Sequence, residues 1–295
     1  MVLSRRPILL LALVVWGCAP PSIDPASTGG VLLPETQGLA YLGGDSFSVS
    51  PGEEWLLYSL KPRPDSVPPP EDPATSLIET LGAYRLYDLE QGVSHPVSVS
   101  EAVRTEIDEG AYWLARGGCW VATEGGPVVA LLNAYGPDLV VDPRQAPLMW
   151  RQRPRPESAP RAPCPIAPDQ LRPGDQIGSF RVSKARGREV LITDSSGRTV
   201  ARHAVGRPTL MELVLSDLAL SPGGEHLAYG VTRMFTMFFQ GEQGYVALAG
   251  PPTRDPYRIA SSIWTLRWGN THLYAAAGEP GAVGIYRWAL TEFPE

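Results

Sequence analysis

An all-β fold is predicted by three features of the sequence. First, 30 Gly and 31 Pro make up about a fifth of the 295 residues, against roughly 12% in ordinary usage, and both disfavour helix interiors. Second, no stretch beyond residue 18 holds a 3.6-residue apolar period through three turns. Third, short runs rich in Val, Leu, Tyr, Trp and Phe are each closed by a Gly, Pro, Asp or Ser cluster, the pattern of strands and turns. The composition also excludes other classes. Charged residues are 19% of the chain, too few for a disordered polyelectrolyte. Three cysteines cannot staple a chain of this length. A net charge of -6 offers no basic stripe for nucleic acid.

The first element is an address. Arg5 and Arg6 precede an unbroken apolar run over residues 8–16, far short of the roughly 20 residues that span a bilayer as a helix. The run ends in Val15-Trp16-Gly17-Cys18-Ala19. This resembles the lipobox of bacterial lipoproteins: an aliphatic residue, a spacer, a small residue and the cysteine. Trp16 departs from the usual small spacer. The resemblance implies that Cys18 carries a diacylglycerol, that residues 1–17 are cleaved as a signal peptide, and that the new N-terminus is acylated with a palmitate-type chain. Such chains hold a protein on a membrane stably. The plainer alternative is an ordinary signal peptide with an incidental cysteine. Ala19, rather than Asp, implies by the same resemblance the outer membrane of the cell envelope. Loss of residues 1–17 removes two arginines and no acid, so the net charge moves from -6 to -8. Residues 18–30 read as the lipidated cysteine and a Pro-rich tether.

The body carries a recurring turn. Phe47-Ser48-Val49-Ser50-Pro51-Gly52-Glu53-Glu54-Trp55-Leu56-Leu57-Tyr58 aligns with Leu218-Ala219-Leu220-Ser221-Pro222-Gly223-Gly224-Glu225-His226-Leu227-Ala228-Tyr229. Pro fixes φ at the first turn position and Gly accepts positive φ, so each reads as a hairpin. Looser copies are residues 266–274 and 107–115. A second motif, an apolar strand running into an Asp turn closed by Gly, occurs as Tyr84-Arg85-Leu86-Tyr87-Asp88-Leu89-Glu90-Gln91-Gly92 and as Val190-Leu191-Ile192-Thr193-Asp194-Ser195-Ser196-Gly197. Residues 284–290 echo its start.

Together these motifs resemble the TolB-type, WD40-like β-propeller repeat. Both clear copies lack the Asp of that family's Ser-Pro-Asp-Gly turn, and no copy carries a Trp-Asp dipeptide. The resemblance implies a propeller of four-stranded blades over residues 31–295. Ser50 and Ser221 lie 171 positions apart, close to four units at the ~40–45 residues of a blade. That gives five blades, or six if the middle of the chain holds a degenerate one. The last blade, over residues 263–290, is one strand short. A strand from residues 31–42 completes it, closing the ring and hiding two sheet edges.

Two insertions interrupt the pattern, residues 62–76 and 143–173. The second holds nine prolines, six arginines and two acids, a local reversal of charge. Arg151, Arg153, Arg155 and Arg161 in it could face a protein partner as a polyproline-II surface, or an anionic surface; a solvated loop is the bland alternative.

Chemistry is sparse. Cys119 and Cys164 either pair in an oxidising envelope or stand as separate thiols. His95, His203, His226 and His272 are isolated, with no zinc spacing; His226 and His272 hold equivalent turn positions. No nucleophile elbow or phosphate loop occurs, and no cofactor, metal site or catalytic residue is assigned. Trp55, Trp113, Trp268 and Trp288 are read as blade core. Two functions stay open: a non-catalytic envelope module that binds or scaffolds protein, and an envelope hydrolase or lyase with carboxylates at the channel mouth.

Overall fold

The Ser-Pro-Gly turns shape the chain as the sequence leads one to expect. The structure is a computed structural model that describes residues 22–37, 47–60, 78–79, 81–108, 119–131, 138–153, 175–206, 211–235, 238–248, 255–278 and 283–293. Ser50 Oγ accepts the N–H groups of Glu54 and Trp55, both at 3.0 Å, and its N–H donates to Trp55 O at 2.8 Å. Ser221 repeats this, Oγ accepting from His226 N–H at 3.0 Å and N–H donating to His226 O at 2.9 Å. The second motif is equally regular. Asp88 accepts from the N–H groups of Glu90 and Gln91, and Asp194 from those of Ser196 and Arg198. Gly92 and Gly197 close these turns at φ of 71° and 82°, backbone that glycine adopts at little cost.

Between such turns the apolar runs extend into strands. A short 3-10 turn over Pro25–Thr28 leads to β1 (Val31–Leu32). The first sheet is β2 (Phe47–Val49), β3 (Trp55–Ser59), β4 (Tyr84–Asp88) and β5 (Val93–Pro96). β6 (Ser98–Val99) and helix α1 (Glu101–Asp108) lead to the second: β7 (Cys119–Thr123), β8 (Gly126–Leu131), β9 (Asp138–Val141) and β10 (Met149–Arg153). The third is β11 (Gln176–Ile177), β12 (Phe180–Lys184), β14 (Glu189–Asp194) and β15 (Thr199–Ala204), with β13 (Arg186–Gly187) crossing to the fourth. That fourth sheet is β16 (Met211–Leu220), β17 (His226–Phe235), β18 (Phe238–Leu248) and β19 (Tyr257–Ala260). The fifth is β20 (Ile263–Trp268), β21 (His272–Ala277) and β22 (Gly284–Ala289), completed by β1. Each is an antiparallel meander of four strands; β6 adds parallel to β10 and β13 antiparallel to β16.

Five consecutive four-stranded meanders, the last completed from the N-terminus, make a β-propeller of five blades among the described residues. β1 pairs antiparallel with β22, Val31 opposite Arg287 and Leu32 opposite Tyr286, the closure expected. Apolar clusters fill the space between blades. Leu57, Leu86, Val129, Leu139 and Trp150 join the first to the second. Phe180, Ile192, Leu227 and Tyr229 join the third to the fourth. Ile259, Leu266, Leu273 and Trp288 join the fourth to the fifth. Phe47, Tyr58, Tyr274 and Ile285 join the fifth to the first. The first and fifth blades are also latched through their turns. Glu53 accepts hydrogen bonds from the N–H groups of Thr271 and His272, each 3.1 Å, and from the Thr271 hydroxyl. Asn270 Nδ2 donates to Pro51 O at 2.7 Å.

Three expectations change. Residues 107 and 108, read as the start of a loose repeat, end helix α1. Ser100 starts that helix, its carbonyl accepting from Arg104 N–H at 3.0 Å and its Oγ from Val103 N–H at 3.4 Å. A two-turn helix is too short to show the period that sequence reading relies on. Residues 149–153 are not insertion but the blade strand β10, with Trp150 fully buried and its Nε1–H on Leu81 O at 3.1 Å. Residues 22–30, read as part of a tether over 18–30, are instead packed on the fold. From Ile23 the chain is docked: Asp24 caps the 3-10 turn, Thr28 Oγ1 donates to Ile259 O at 2.8 Å, and Trp288 Nε1–H reaches Thr28 Oγ1 at 3.2 Å. A bare glycine lets this happen, since a Cβ on Gly30 would strike the Trp288 ring. The insertion at 62–76 lies outside the described residues.

Candidate functional site

The second blade turns Val129, Leu139, Val141 and Trp150 toward the first. Strand alternation therefore sends Met149, Arg151 and Arg153 to the opposite face. There a cleft of about 170 Å³ is lined by Val128, Val140 and Met149 beneath Asp142, Arg151 and Arg153. Its polar rim is held in place. Arg144 grips Asp142 through two hydrogen bonds, Nε–Oδ1 2.7 Å and Nη2–Oδ2 3.0 Å. That guanidinium, together with the Arg144 and Gln145 donors around it, lowers the Asp142 carboxyl below its ordinary range. Gln145 links the rim, donating to Asp142 at 3.2 Å and accepting from Arg151 Nη1 at 2.7 Å. Asp142 is thus already neutralised by Arg144, and Arg151 and Arg153 line the cleft beside it. Arg153 stands opposite Asp138 in register on β9.

The third blade presents a second, polar cleft of about 630 Å³, with Gln176, Arg181, Ser183 and Thr193 on its wall. Phe180, Val182, Val190 and Ile192 point the other way, into the core shared with the fourth blade. Ser183 and Thr193 hydroxyls bond at 2.9 Å. Asp194 at the cleft's end is bound by Ser196 and by Arg198, the latter at 2.6 Å, and these donors pull its carboxyl down to about 2. Glu189 is lowered as well, chiefly by Arg202. A general acid needs a carboxyl displaced upward; these three move down and serve as acceptors of fixed donors. Among the described residues no three His, Cys, Asp or Glu gather as a metal site.

Sequence reasoning placed Arg151 and Arg153 on a binding segment, and the structure brings both to one cleft wall on β10. Arg155, Arg161, Cys18 and Cys164 lie outside the described residues. The Cys119 backbone opens β7, and the proposed pairing of Cys119 with Cys164 therefore falls outside them too. His226 and His272, read as turn residues just before a strand, are instead the paired first residues of β17 and β21, at equivalent positions. Trp288 is fully buried, while Trp55 and Trp268 pack half-buried against blade cores; Trp113 lies outside the description.

His203 is the feature that sequence reading missed. It packs between blades, Nε2 and the Tyr229 hydroxyl bonded at 2.9 Å and its ring 4.4 Å from that of Tyr245. Burial, with Arg233 nearby and only partly opposed by Asp255, pushes its pKa down to about 4. The two tyrosines come from the fourth blade, so only the fold reveals the cluster.

No protein-family model matches the sequence, and no curated protein matches it. Among solved structures the chain is similar to the beta-propeller domain of Cps50 (Swd1) from Myceliophteria thermophila, at 11% identity and a TM-score of 0.31, over 84% of this chain and 97% of that one.

Proposed function

We propose that this chain is a non-catalytic binding module, a rigid propeller held at the surface of the cell envelope by a lipid on Cys18, which takes a protein partner on its blades. The observation that carries the reading is where the chain joins the fold. Ile23 exchanges hydrogen bonds with Ser261, its N–H donating to Ser261 Oγ and its carbonyl accepting from Ser261 N–H at 3.2 Å. Cys18 is five residues earlier, and an extended chain reaches about 18 Å over that distance. A lipid there would hold the propeller close against the bilayer and leave its other blades to face a partner. The repeated Ser-Pro-Gly and Asp-Gly turns support kinship with TolB-type repeats. The Arg151 and Arg153 cleft, with apolar Val140 and Met149 below, suits a partner segment that brings a carboxylate and an aliphatic side chain.

Two arms test this. Growth on an alkyne palmitate should label the wild-type chain and not Cys18→Ala; equal labelling of both would remove the anchor. Affinity capture of the full chain from detergent-solubilised envelopes should recover one stoichiometric protein, and much less with Arg151→Glu/Arg153→Glu. Recovery of none would remove the binding reading.

A further inference from the structure

In the first, fourth and fifth blades, neighbouring residues of one strand enter different apolar clusters, one on each face of the sheet. Leu56 packs toward the fifth blade and Leu57 toward the second. Leu227 packs toward the third and Ala228 toward the fifth. Leu273 packs toward the fourth and Tyr274 toward the first. The second and third blades differ. Each contributes to a single cluster, the second blade to the one it shares with the first, the third to the one it shares with the fourth. Among the described residues no apolar cluster joins the second blade to the third. In a ring of five, the two faces left over turn toward each other. The sequence of the third blade carries the reason: β12 reads Phe-Arg-Val-Ser-Lys and β14 Glu-Val-Leu-Ile-Thr-Asp. Phe180, Val182, Val190 and Ile192 face the fourth blade, and the residues between them are mostly polar, the alternation of a sheet with one wet face.

The two clefts described above lie on the two walls of this seam. On the second blade, Val128, Val140 and Met149 form an aliphatic floor beside Arg151 and Arg153. On the third, Arg181 stands with Ser183 and Thr193. Lys184 and Arg202 share that face, both opposite Leu191 in register, and each pairs with Glu189. The strands of the two walls thus bring five basic side chains, Arg151, Arg153, Arg181, Lys184 and Arg202, against two acids, Glu189 and Asp138. That is a local reversal in a chain of net charge -6. Where the strands turn, Asp142 and Asp194 are each held by an arginine of the same turn, Arg144 and Arg198. The chain's own link between these blades, residues 154–174, carries three arginines and two acids, the wrong sign for such walls.

Resting on the binding reading proposed above, we infer that the partner enters the seam between the second and third blades as an extended acidic segment held by both faces. Its aliphatic side chains meet Val140 and Met149. Its carboxylates meet Arg151 and Arg153 on one wall and Arg181 on the other, where a guanidinium offers two parallel hydrogen bonds. Ser183 and Thr193 give hydroxyls to its backbone. A slot between two sheet faces admits an extended chain and excludes a folded domain.

The test selects random twelve-residue peptides, displayed as a library, on the immobilised full chain and reads the enriched sequences. The strongest peptide is then labelled and titrated by fluorescence anisotropy. Asp and Glu interspersed with aliphatic residues are expected to be enriched. Affinity should fall at least tenfold in Arg181→Glu and at least tenfold in Arg151→Glu/Arg153→Glu. All three arginines are exposed, so the variants should keep the unfolding midpoint of the wild type; Arg181→Ala, which removes the charge without reversing it, should lose an intermediate factor. Loss in the Arg151 and Arg153 variant alone overturns the two-walled seam and leaves the second-blade cleft standing. Loss in neither overturns both. Enrichment of basic or uncharged peptides, or of none, overturns the acidic segment, while a captured protein that depends on Arg151 and Arg153 would still support the binding reading. Binding that tightens at least tenfold when residues 155–172 are replaced by as many Gly and Ser would mean that the chain's own link fills the seam, and overturns the inference. A dimer dissolved by Arg181→Glu would put a second copy there, and overturns it too.

Discussion

Glu53 is a residue whose work is invisible in its neighbours. Its φ of 54° is left-handed, a conformation that costs a non-glycine residue of order 1 kcal/mol, and the aligned position in the fourth blade is Gly224, at 75°. The strain is offset by the bonds to Thr271 and His272, 218 and 219 positions away. Gly269 makes room for them, because a Cβ there would collide with the Glu53 carboxylate. Gly269→Ala should therefore destabilise the wild type by roughly 2 kcal/mol but cost clearly less in a Glu53→Ala background. Equal costs in a denaturant double-mutant cycle would show that the latch is not what excludes a side chain. His203 makes a pH prediction. Its folded pKa of about 4 lies below the usual 6.5, so the unfolded chain binds the proton first. Stability is then full above about pH 6.5 and falls as pH drops toward 4, by roughly 3 kcal/mol at 1.36 per pKa unit. His226, lowered by burial, adds in the same direction. Unfolding midpoints from pH 7 to 4.5 should fall less steeply in His203→Gln; an unchanged slope would assign the dependence elsewhere.

At the scale of elements, the turns were the legible part. A short Ser-Pro-Gly string carries its own mechanism, since the serine accepts the N–H groups that the turn frees. Ser221→Ala leaves the His226 N–H without its partner and should cost about 1–3 kcal/mol. Ser50→Ala should cost as much, because the two turns share their bonds. Denaturant unfolding of both variants checks the equivalence, and a cost at one site alone would undo the repeat argument. β10 was hidden for a physical reason. In Met149-Trp150-Arg151-Gln152-Arg153 one aromatic carries the buried face and two arginines the open one, with prolines at 147 and 154. Local composition says loop, and only packing of Trp150 under Leu81 says strand. Arg151 and Arg153 were legible as a charged segment, but their cleft required β8 and β9 beside them.

For the whole molecule, closure by β1 was readable from arithmetic, one strand missing at the C-terminal blade and one spare near the N-terminus. Thr36 shows how tightly that end is bound: fully buried, it donates to Leu33 O at 2.8 Å and accepts from Ile285 N–H at 2.9 Å. Thr36→Val keeps the shape, loses both bonds, and should lower stability by about 1–3 kcal/mol. Deleting residues 19–33 should do more, baring the β22 edge and the Trp288 ring, and give a chain that aggregates. A deletion that unfolds as cooperatively as the wild type would mean the ring does not depend on its N-terminal strand. The contacts that join neighbouring blades, between Glu53 and Thr271 or His203 and Tyr229, link distant parts of the chain and leave no trace in any local pattern. The central claim is that this propeller takes a protein partner on the open face of its second blade. Amide hydrogen exchange on the full chain, free and with its captured partner, tests that directly. Slowed exchange concentrated in residues 119–131 and 138–153 is the expected result. Slowing confined to the fourth and fifth blades, or no change anywhere, would contradict it.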